Sequence, residues 1–307
     1  MDNRKYEAFL RISETGSITK AADIMGYTQS GLTQMMKNLE AELGLTLLTR
    51  TNRGVFLTNA GKRLLPFIRE EQRAEEQIRQ ECAAIAGKHG GRLTVGCLAS
   101  VSESWMPAVL ERLAKQYPDM KVSMEELESP AIREMLAEGR LDIGICEIEE
   151  ETVFHSTPLL EDDIFAIVPP EHPLTRQDSV TIRELAAYPF ISFAIGETSL
   201  DAPGWPEMML KQAVRLNIVY TCKDNLTVLN MIRHHLGVTV SSSLIMSNYE
   251  SDVVSLPFDP PIVRTIGLLS RRDEKMLPAA QTFIQCLREY VHEKHTDQDL
   301  STEYTTV

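Results

Sequence analysis

Two features of membrane and exported proteins are missing from this 307-residue chain. No apolar run approaches the roughly 20 residues that a membrane-spanning helix needs. The first ten residues, MDNRKYEAFL, lack the apolar centre of a signal peptide. We therefore expect a cytoplasmic protein with no membrane partner. The chain is also longer than one hydrophobic core usually holds, so two or more domains are expected.

Cysteine is scarce, and recognisable metal or catalytic motifs are missing. The five cysteines are widely spaced and include no CxxC pair, so neither a disulfide framework nor a zinc site is indicated. The adjacent His234 and His235 point in different directions on a helix, while His292 and His295 lie near a polar tail. No GxSxG, P-loop or GxGxxG motif stands between a strand and a helix. These absences predict no metal, no cofactor and no enzymatic activity.

Basic residues are outnumbered overall, but not at the start of the chain. The net charge is −13, yet residues 1 to 66 hold nine Lys or Arg against six Asp or Glu, a net charge of +3. The remainder therefore carries −16. A mildly basic head can approach the phosphates of a nucleic acid while an acidic body is repelled from them.

The head has the pattern of a helix-turn-helix. A first helix stops at Gly16, and Ser17 is placed to cap a second helix that ends at Gly26. Paired alanines in the second helix allow another helix to pack closely. A third helix follows from Thr28 to Leu43. Two short helices joined by a tight, glycine-containing turn indicate that the third helix reads the major groove of DNA.

The third helix has two unlike faces. Leu32, Met36, Leu39 and Leu43 recur at helical spacing and form an apolar stripe. The next segment, LTLLTRTNRGVFLT, predicts two short strands around a tip with Arg50 and Arg53, a wing suited to phosphate or minor-groove contact. A solvated turn is the alternative for that tip. The face opposite the stripe is short-chained and rich in amides, and it carries Gln29, Ser30, Thr33, Gln34 and Lys37.

Residues 59–90 predict a long, mostly polar helix with a narrow apolar line. The line follows a repeat near 3.5 residues, which is typical of a helix that pairs with another helix. Pro66 is expected to bend this helix or to mark its packing against the head. We interpret the segment as a linker and dimerisation helix, with a monomeric strut as the alternative. The apolar line consists of Leu64, Phe67, Ala74, Ile78 and Ile85.

After residue 90, strand and helix patterns alternate, which predicts a parallel α/β arrangement. We expect two lobes, the first formed by about 91–162 and 266–295 and the second by about 163–265. Lobes joined by crossovers enclose a cleft, and clefts between domains bind small ligands. The polar residues 296–307 are expected to form a flexible tail.

One stretch of the head and four segments of the body follow the pattern of a known family. ITKAADIMGYTQSGLTQMMKNLEAELGLTLLTRTNRGVFLTNAG contains paired alanines, Thr-Gln opening the recognition helix, wing arginines and Leu-Thr-x-x-Gly. YPDMKV, GRLDIGI, EHPL and HHLGVTV follow in the expected order. The chain therefore resembles LysR-type transcriptional regulators over essentially its whole length. The resemblance implies a winged helix-turn-helix in residues 1–58, a linker helix, and a two-lobed α/β effector-binding domain in residues 91–295 similar to periplasmic binding proteins.

The same resemblance implies partners and DNA contacts. It implies a homo-oligomer, either a dimer or a tetramer, that binds double-stranded promoter DNA with half-sites about 34–36 Å apart. RNA polymerase and a small-molecule effector are further expected partners. The amides and hydroxyls of the recognition helix are expected to contact base edges or nearby phosphates, and the basic residues to contact the DNA backbone. The expected DNA-binding residues are Thr28, Gln29, Ser30, Thr33, Gln34, Lys37, Arg50 and Arg53.

The family pattern also places effector-binding residues at strand ends. Ser100 and Ser129 each open a helix, where free N–H groups and the helix dipole favour an anionic or carbonyl ligand. A plain helix cap is the alternative for each hydroxyl-bearing residue. Glu147 either belongs to a solvated acidic rim or selects an effector that has an amino group. The expected effector-binding residues are Ser100, Ser102, Ser129, Glu147, Thr198, Ser199, Asn225 and Thr227.

Two other functions fit part of the sequence. The two lobes alone also suit a solute-binding protein, but such a protein has no need of a basic head with a wing. Cys97 and Cys146 lie at strand ends and allow a redox-sensing regulator. The paired-cysteine loop of the family's peroxide sensors is missing between Leu200 and Tyr220. We therefore favour a DNA-binding regulator controlled by a small molecule.

Overall fold

The computed structural model of the chain describes residues 3–52, 54–86, 90–148, 153–192, 215–249, 252–272 and 275–302. The chain divides into two compact units. The head comprises Met1–Gly90 with Glu138–Arg140, and the body comprises Gly91–Ala137 with Leu141–Val307. Within the described ranges, no helix is both long and apolar enough to cross a bilayer.

The head begins with three helices whose ends are set by local sequence. Ser17 Oγ accepts a hydrogen bond from the backbone N–H of Lys20, as expected of a helix cap. Gly26 and Gly44 end the second and third helices with φ of 69° and 66°, a left-handed conformation that glycine adopts without a steric penalty. The predicted helix-turn-helix is therefore confirmed. Its helices are α1 (Asn3–Thr15), α2 (Ile18–Met25) and α3 (Gln29–Leu43).

The apolar faces of these helices meet in one core. Phe9 of α1 is buried, as are Leu32, Met36 and Leu39 of the predicted stripe on α3, while Leu43 is half-buried against the same core. Ala21 of α2 is also fully buried, and its small side chain allows close helix packing. Burying one such large side chain contributes roughly 1.5–3 kcal/mol, so the core fixes which face of α3 remains in solvent.

The wing and the long helix complete the head. Strands β1 (Leu48–Thr51) and β2 (Gly54–Leu57) pair antiparallel, as the sequence predicted. Helix α4 (Asn59–Ile85) follows and continues through Pro66. Along α4, the apolar side chains of Phe67, Ile78 and Ile85 are 66%, 65% and 86% exposed. Large apolar groups left in solvent along one helix indicate a surface for association.

The body alternates strands and helices, as expected of an α/β protein. Its strands are β3 (Gly91–Cys97), β4 (Met120–Glu126), β5 (Ile143–Glu147), β6 (Phe154–Val168), β7 (Pro189–Ser192), β8 (Asn217–Thr221), β9 (Thr239–Ser242) and β10 (Val254–Arg271). Its helices are α5 (Ala99–Ser104), α6 (Met106–Gln116), α7 (Ser129–Ala137), α8 (Ile182–Leu185), α9 (Asn225–Arg233), α10 (Ser243–Met246) and α11 (Pro278–Thr302), with a 3-10 turn at Pro173–Arg176. The helix predicted around MMLKQAVRL lies outside the described residues.

A six-stranded sheet in the order β4-β3-β5-β10-β6-β9 organises the body, and β7 and β8 form a separate parallel pair. Strand β3 is parallel to β4 and β5. Strand β10 is antiparallel to both β5 and β6. The prediction of a purely parallel arrangement was therefore wrong. The sheet is mixed because the long strands β6 and β10 run through its centre in opposite directions.

Buried side chains of the body form separate clusters. One surrounds β3, β5 and α6 and includes the fully buried Trp105 and Phe283. The others surround β7, β9 and α9 and include Phe190 and Ile232. Strands β6 and β10 supply residues to the clusters on both sides. We call the side with Trp105 the first lobe and the side with Ile232 the second lobe.

Candidate DNA-binding and effector-binding sites

The exposed face of α3 carries the residues predicted to contact DNA. Gln29, Ser30, Gln34 and Lys37 are exposed, and Thr33 is half-buried. Gln34 Nε2 donates to Asn38 Oδ1 at 2.9 Å, which orders the amide along the helix. A polar, exposed helix face opposite a buried stripe can enter a major groove.

The predicted residue Thr28 has a structural task at the start of α3. Its Oγ1 accepts a hydrogen bond from the N–H of Gly31 at 3.1 Å and lies 3.2 Å from Ser30 Oγ. A Cβ added at Gly31 would lie 3.0 Å from this Oγ1. Glycine at this position therefore leaves room for the cap.

Polar contacts fix the wing against the recognition helix. Glu40 Oε1 accepts hydrogen bonds from the backbone N–H groups of Leu47 and Leu48 at 2.7 and 3.1 Å. Arg50 Nη2 of β1 reaches Thr33 Oγ1 at 3.4 Å. The structure thus brings Arg50 beside α3, on one surface with the predicted contact residues. Arg53 lies outside the described residues.

In the body, Arg264 is the centre of a polar cluster near the strand ends. Its Nη2 donates to Ser100 Oγ at 3.0 Å and to Ser242 Oγ at 2.9 Å. Its Nε and Nη2 both donate to Asp162 Oδ2, at 2.9 and 2.7 Å. Arg264 and Asp162 are opposite partners on β10 and β6. The cluster therefore joins α5, β9 and the two long strands.

Asp162 is fully buried, and all of its charge is compensated. Its Oδ1 accepts hydrogen bonds from Ser243 Oγ at 2.8 Å and from the N–H of Leu244 at 2.9 Å. Its Oδ2 accepts both bonds from Arg264. A buried charge is tolerated when it is paired and hydrogen-bonded. Asp162 thus holds the start of α10 against Arg264.

A second set of contacts joins the lobes beside this cluster. Glu103 of α5 accepts a hydrogen bond from Asn225 Nδ2 at 3.1 Å and another from Tyr249 Oη at 2.8 Å. Burial and this carboxylate raise the pKa of Tyr249 to about 12, so its hydroxyl stays a donor at neutral pH. The predicted residue Asn225 is buried and engaged with Glu103 in this arrangement.

Ser129 and Glu128 lie at the start of α7, next to the end of β4. The loop after β4 is held to β3 by a hydrogen bond from the N–H of Leu127 to the carbonyl of Cys97 at 3.0 Å. Ser129 is only 5% exposed. Burial raises the pKa of Glu128, its neighbour Glu126 adds to the rise, and Arg264 opposes it.

Other predicted effector residues occupy less central positions. Ser102 is half-buried in α5, and its N–H donates to the carbonyl of Leu98 at 2.9 Å. Thr227 is exposed, and its N–H donates to Asp224 Oδ1, the cap of α9. Thr198 and Ser199 lie outside the described residues. The structure thus gathers Ser100 and Asn225 around the cluster but gives Thr227 a place in a helix cap.

Glu147 lies at the end of β5, where it is half-buried. Its carbonyl oxygen accepts a hydrogen bond from Arg133 Nη2 at 2.9 Å, while Arg133 Nη1 reaches the carbonyl of Ser129 at 3.3 Å. Arg133 therefore holds the end of β5 against the start of α7. The residues after Glu147 that were considered as an acidic rim, 149–151, are outside the described part of the chain.

The geometry disfavours a redox centre at Cys97 and Cys146. Both are buried, and burial raises the pKa of Cys97 to about 12, with Glu126 adding to the rise. Only the thiolate form reacts readily. In the β3–β5 ladder, Cys97 is opposite Ile145, so Cys146 projects from the other face of the sheet. The two thiols therefore lie on opposite faces of the sheet, and that of Cys97 is protonated at neutral pH.

Comparison with known proteins now identifies the family. The profile of the bacterial regulatory helix-turn-helix proteins of the lysR family matches residues 3–62, and that of the LysR substrate binding domain matches residues 86–292. The chain belongs to the LysR family. It is a LysR-type DNA-binding transcriptional regulator with an effector-binding domain, as the resemblance implied. The match to the head excludes a solute-binding protein that consists of two lobes alone.

Relatives of this LysR-type regulator span nearly its whole length. The transcriptional regulator YvbU of Bacillus subtilis is 28% identical over 93% of this chain and 97% of its own. AlsR of the same organism is 27% identical over 92% of this chain and 94% of its own. Both are named as transcriptional regulators, not as enzymes.

Solved structures share the fold. A full-length OxyR variant from Pseudomonas aeruginosa has a TM-score of 0.72 at 21% identity and covers 95% of this chain and 94% of its own. The structure of full-length CbnR in complex with its target DNA has a TM-score of 0.61 at 18% identity. It covers 94% of this chain and 100% of its own. At these identities the likeness concerns the fold and not the effector.

Sequence reasoning missed the residues that hold the regulatory site together. Arg264 and Asp162 each lie inside a long strand, where a charged residue normally faces solvent. Glu103 resembles any other acid of an exposed helix turn. Their roles depend on partners distant in the sequence, as in the bonds of Glu103 to residues 225 and 249 and of Arg264 to Asp162 and Ser100. A lone arginine within the apolar segment PPIVRTIGLLS was the only local signal.

Proposed function

We propose that this LysR-type regulator binds promoter DNA in the cytoplasm as a homo-oligomer, and that a small molecule bound between the lobes of the body sets its activity there. The exposed face of α3 supports the DNA-reading role, because it is polar and is flanked by Arg50 of the wing. RNA polymerase is the partner through which occupancy of the promoter would act. We propose no catalytic step for this chain.

The proposed organisation uses three parts. Residues 1–58 read DNA, 59–90 form the linker and dimerisation helix, and 91–295 form the regulatory domain. The exposed Phe67, Ile78 and Ile85 support pairing of α4 with a second copy. Two heads held on such a pair can reach major grooves about 34–36 Å apart.

The proposed control acts through the contacts between the lobes. Ser100, Arg264 and Asp162 join α5 to both long strands, and Glu103 joins α5 to α9 and Tyr249. A ligand that binds better to one arrangement of the lobes shifts the population toward it. We propose that this shift changes how the heads are presented to DNA.

Footprinting tests the proposal on DNA upstream of the regulator's own gene, a region that regulators of this family often control. We expect protection of two half-sites by the full chain. Gln34→Ala should weaken binding to that site by about 1–3 kcal/mol and relax the base preference at one position. Arg50→Ala should weaken binding to specific and random duplex alike and should flatten the salt dependence by about 0.9 in slope.

The two variants serve as controls for each other. Equal losses on specific and random duplex for both, across a salt titration, would contradict the separate roles of helix and wing. No protection of any duplex by the full chain would overturn the proposed DNA-binding function.

A further inference from the structure

Within the described residues, three polar groups of different charge lack a hydrogen-bond partner: Arg264 Nη1, the hydroxyl of Ser129 and the carboxylate of Glu128. Arg264 uses Nε and Nη2 for its bonds to Asp162, Ser100 and Ser242, and nothing in the described chain accepts a bond from Nη1. The Arg264 side chain is 16% exposed, so this donor reaches solvent from a mostly buried group. It is an open, cationic donor.

The hydroxyl of Ser129 is the second such group. Ser129 is 95% buried, and within the described residues its Oγ forms no hydrogen bond, although it opens the nine-residue helix α7. Its Oγ nevertheless keeps some exposure to solvent, so the hydroxyl is accessible to a ligand. The first turn of a helix also leaves backbone N–H groups for an incoming acceptor.

The carboxylate of Glu128 is the third. It is half-buried beside Ser129, and the described part of the chain donates no hydrogen bond to it. The loop that carries Glu128 is held to the end of β3 by the bond from Leu127 N–H to the carbonyl of Cys97, and Ser100, three residues beyond Cys97, is bonded to Arg264. The sequence left Glu147 open between a solvated acidic rim and selection of an amino group. In the structure, the acid that stands open beside the cluster is Glu128.

Charge decides which ligand these groups suit. The positive charge of Arg264 is already balanced by Asp162, so a simple anion finds no net attraction there and meets the negative Glu128. A simple amine satisfies Glu128 but leaves Nη1 of Arg264 desolvated without an acceptor. A molecule with both an ammonium group and a carboxylate satisfies all three groups and adds no net charge.

We propose that the effector is a small zwitterion with the chemistry of a free α-amino acid, its carboxylate bound by Arg264 Nη1 and Ser129 and its ammonium group by Glu128. This inference rests on the proposed function of the cleft as the effector site. The two charge-assisted contacts lie on the first lobe and β10, so the ligand is held at the place where the long strands pass between the lobes.

Calorimetry on the full-length protein at pH 7.5 tests the proposal with the standard L-amino acids as probes. Each amino acid that binds is compared with two analogues of the same side chain, one without the amino group and one without the carboxylate. We expect at least one amino acid to bind and both of its analogues to bind at least tenfold more weakly, as for loss of a charge-assisted contact. A carboxylic acid that binds as tightly as its parent amino acid would overturn the proposal, as would a complete absence of amino-acid binding.

Glu128→Gln is the matching variant, because the described residues donate no hydrogen bond to the Glu128 carboxylate that the substitution would remove. It should weaken amino-acid binding at least tenfold and abolish the preference over the deaminated analogue. Glu134→Gln, an exposed acid on α7, should bind like the unaltered protein. Unchanged affinity in Glu128→Gln would overturn the role of this residue.

Footprinting of the same preparation separates this inference from the proposed function. DNA protection that is retained while no amino acid binds contradicts only the effector class. Absence of DNA protection contradicts the regulator function and the effector role that depends on it. Protection that changes when the bound amino acid is added supports both.

Discussion

Asp162 is buried and accepts four hydrogen bonds, which makes it the residue on which the proposed regulatory site depends most. It receives two bonds from Arg264 and one each from Ser243 and Leu244. Removing one member of a buried pair leaves the other charge uncompensated, at a cost of roughly 3–5 kcal/mol. We predict that Asp162→Asn lowers the free energy of unfolding by about 3 kcal/mol or more in urea denaturation.

Glu293→Gln is the control for this prediction, because Glu293 pairs with Arg112 on the surface. Exposed pairs contribute little, so no measurable change is expected there. Equal effects of the two substitutions on stability would show that burial of Asp162 is not what makes its pair important.

Glu128 gives a prediction on pH. Its pKa is raised, chiefly by burial, above the ordinary value of 4.5. A carboxyl with a higher pKa in the folded state favours folding as pH falls through that folded value, so its ionised form opposes folding at neutral pH. We predict a higher Tm for Glu128→Gln at pH 7, with the difference shrinking toward pH 4.5. Glu134→Gln should show no such trend, and a lower Tm for Glu128→Gln at pH 7 would contradict the assignment.

Individual residues differ in how far the sequence predicted them. Ser100 was predicted as a site residue from its place after a strand, and the structure puts its hydroxyl on Arg264. Arg264 itself was missed, because strand alternation indicates on which face of the sheet a side chain lies but not whether an acidic side chain lies beside it. Asn225 was predicted to face the cleft, but its bond to Glu103 depends on how the lobes close. Local pattern predicts position, whereas pairing depends on the tertiary fold.

The recognition helix combines a good apolar stripe with an unfavourable residue, Gly31. Alanine there would gain roughly 1 kcal/mol in helix propensity. Its Cβ would lie 3.0 Å from Thr28 Oγ1, crowding a cap worth roughly 0.5–2 kcal/mol. We therefore predict that Gly31→Ala changes the free energy of unfolding by less than about 1 kcal/mol. DNA affinity should fall, because the added methyl group stands on the exposed start of α3.

Gly61→Ala is the contrasting variant for this prediction. A Cβ at Gly61 would lie 2.3 Å from the carbonyl oxygen of Leu47, so the wing or α4 must shift, at a cost of roughly 1–3 kcal/mol. Urea denaturation and gel shifts measure both quantities. Destabilisation of Gly31→Ala as large as that of Gly61→Ala would mean that the cap cannot adjust.

The ends of the long strands β6 and β10 were harder to predict from the sequence than the ends of the helices of the head. The apolar segments IFAIVPP and TIGLLS predict two short strands, whereas β6 begins at Phe154 and β10 at Val254. Both long strands contain proline. In the structure, the register shifts between Pro257 and Ile262, and again between Ile266 and Gly267, opposite Leu160 and Pro158. Irregularities of this kind accommodate proline within a ladder.

At the scale of the whole molecule, the basic charge and the acidic charge lie on different units, the head and the body, and each unit has its own hydrophobic core. The basic head was readable from sequence because its caps, turns and stripe are local. Predicting the fold of the body would have required the pairing of β6 with β10, whose partner residues are about 100 positions apart in the sequence. No local pattern reveals such a pairing. These two strands contribute side chains to the cores of both lobes and so connect the lobes directly.

The contact between Glu103 and the second lobe gives the prediction for the whole molecule. Glu103 alone accepts bonds from both Asn225 and Tyr249, so Glu103→Ala should weaken closure of the lobes. The equilibrium should shift by roughly tenfold or more, as for loss of hydrogen bonds to a charged group. Hydrogen exchange should then be faster in α9 and α10.

Glu111→Gln is the control, since among the described residues Glu111 bonds only within α6, to Lys115. If exchange in α9 and α10 were the same in both variants, Glu103 would not hold the lobes together. If Glu103→Ala showed faster exchange but an unchanged DNA footprint, closure of the lobes would not control how the heads bind DNA.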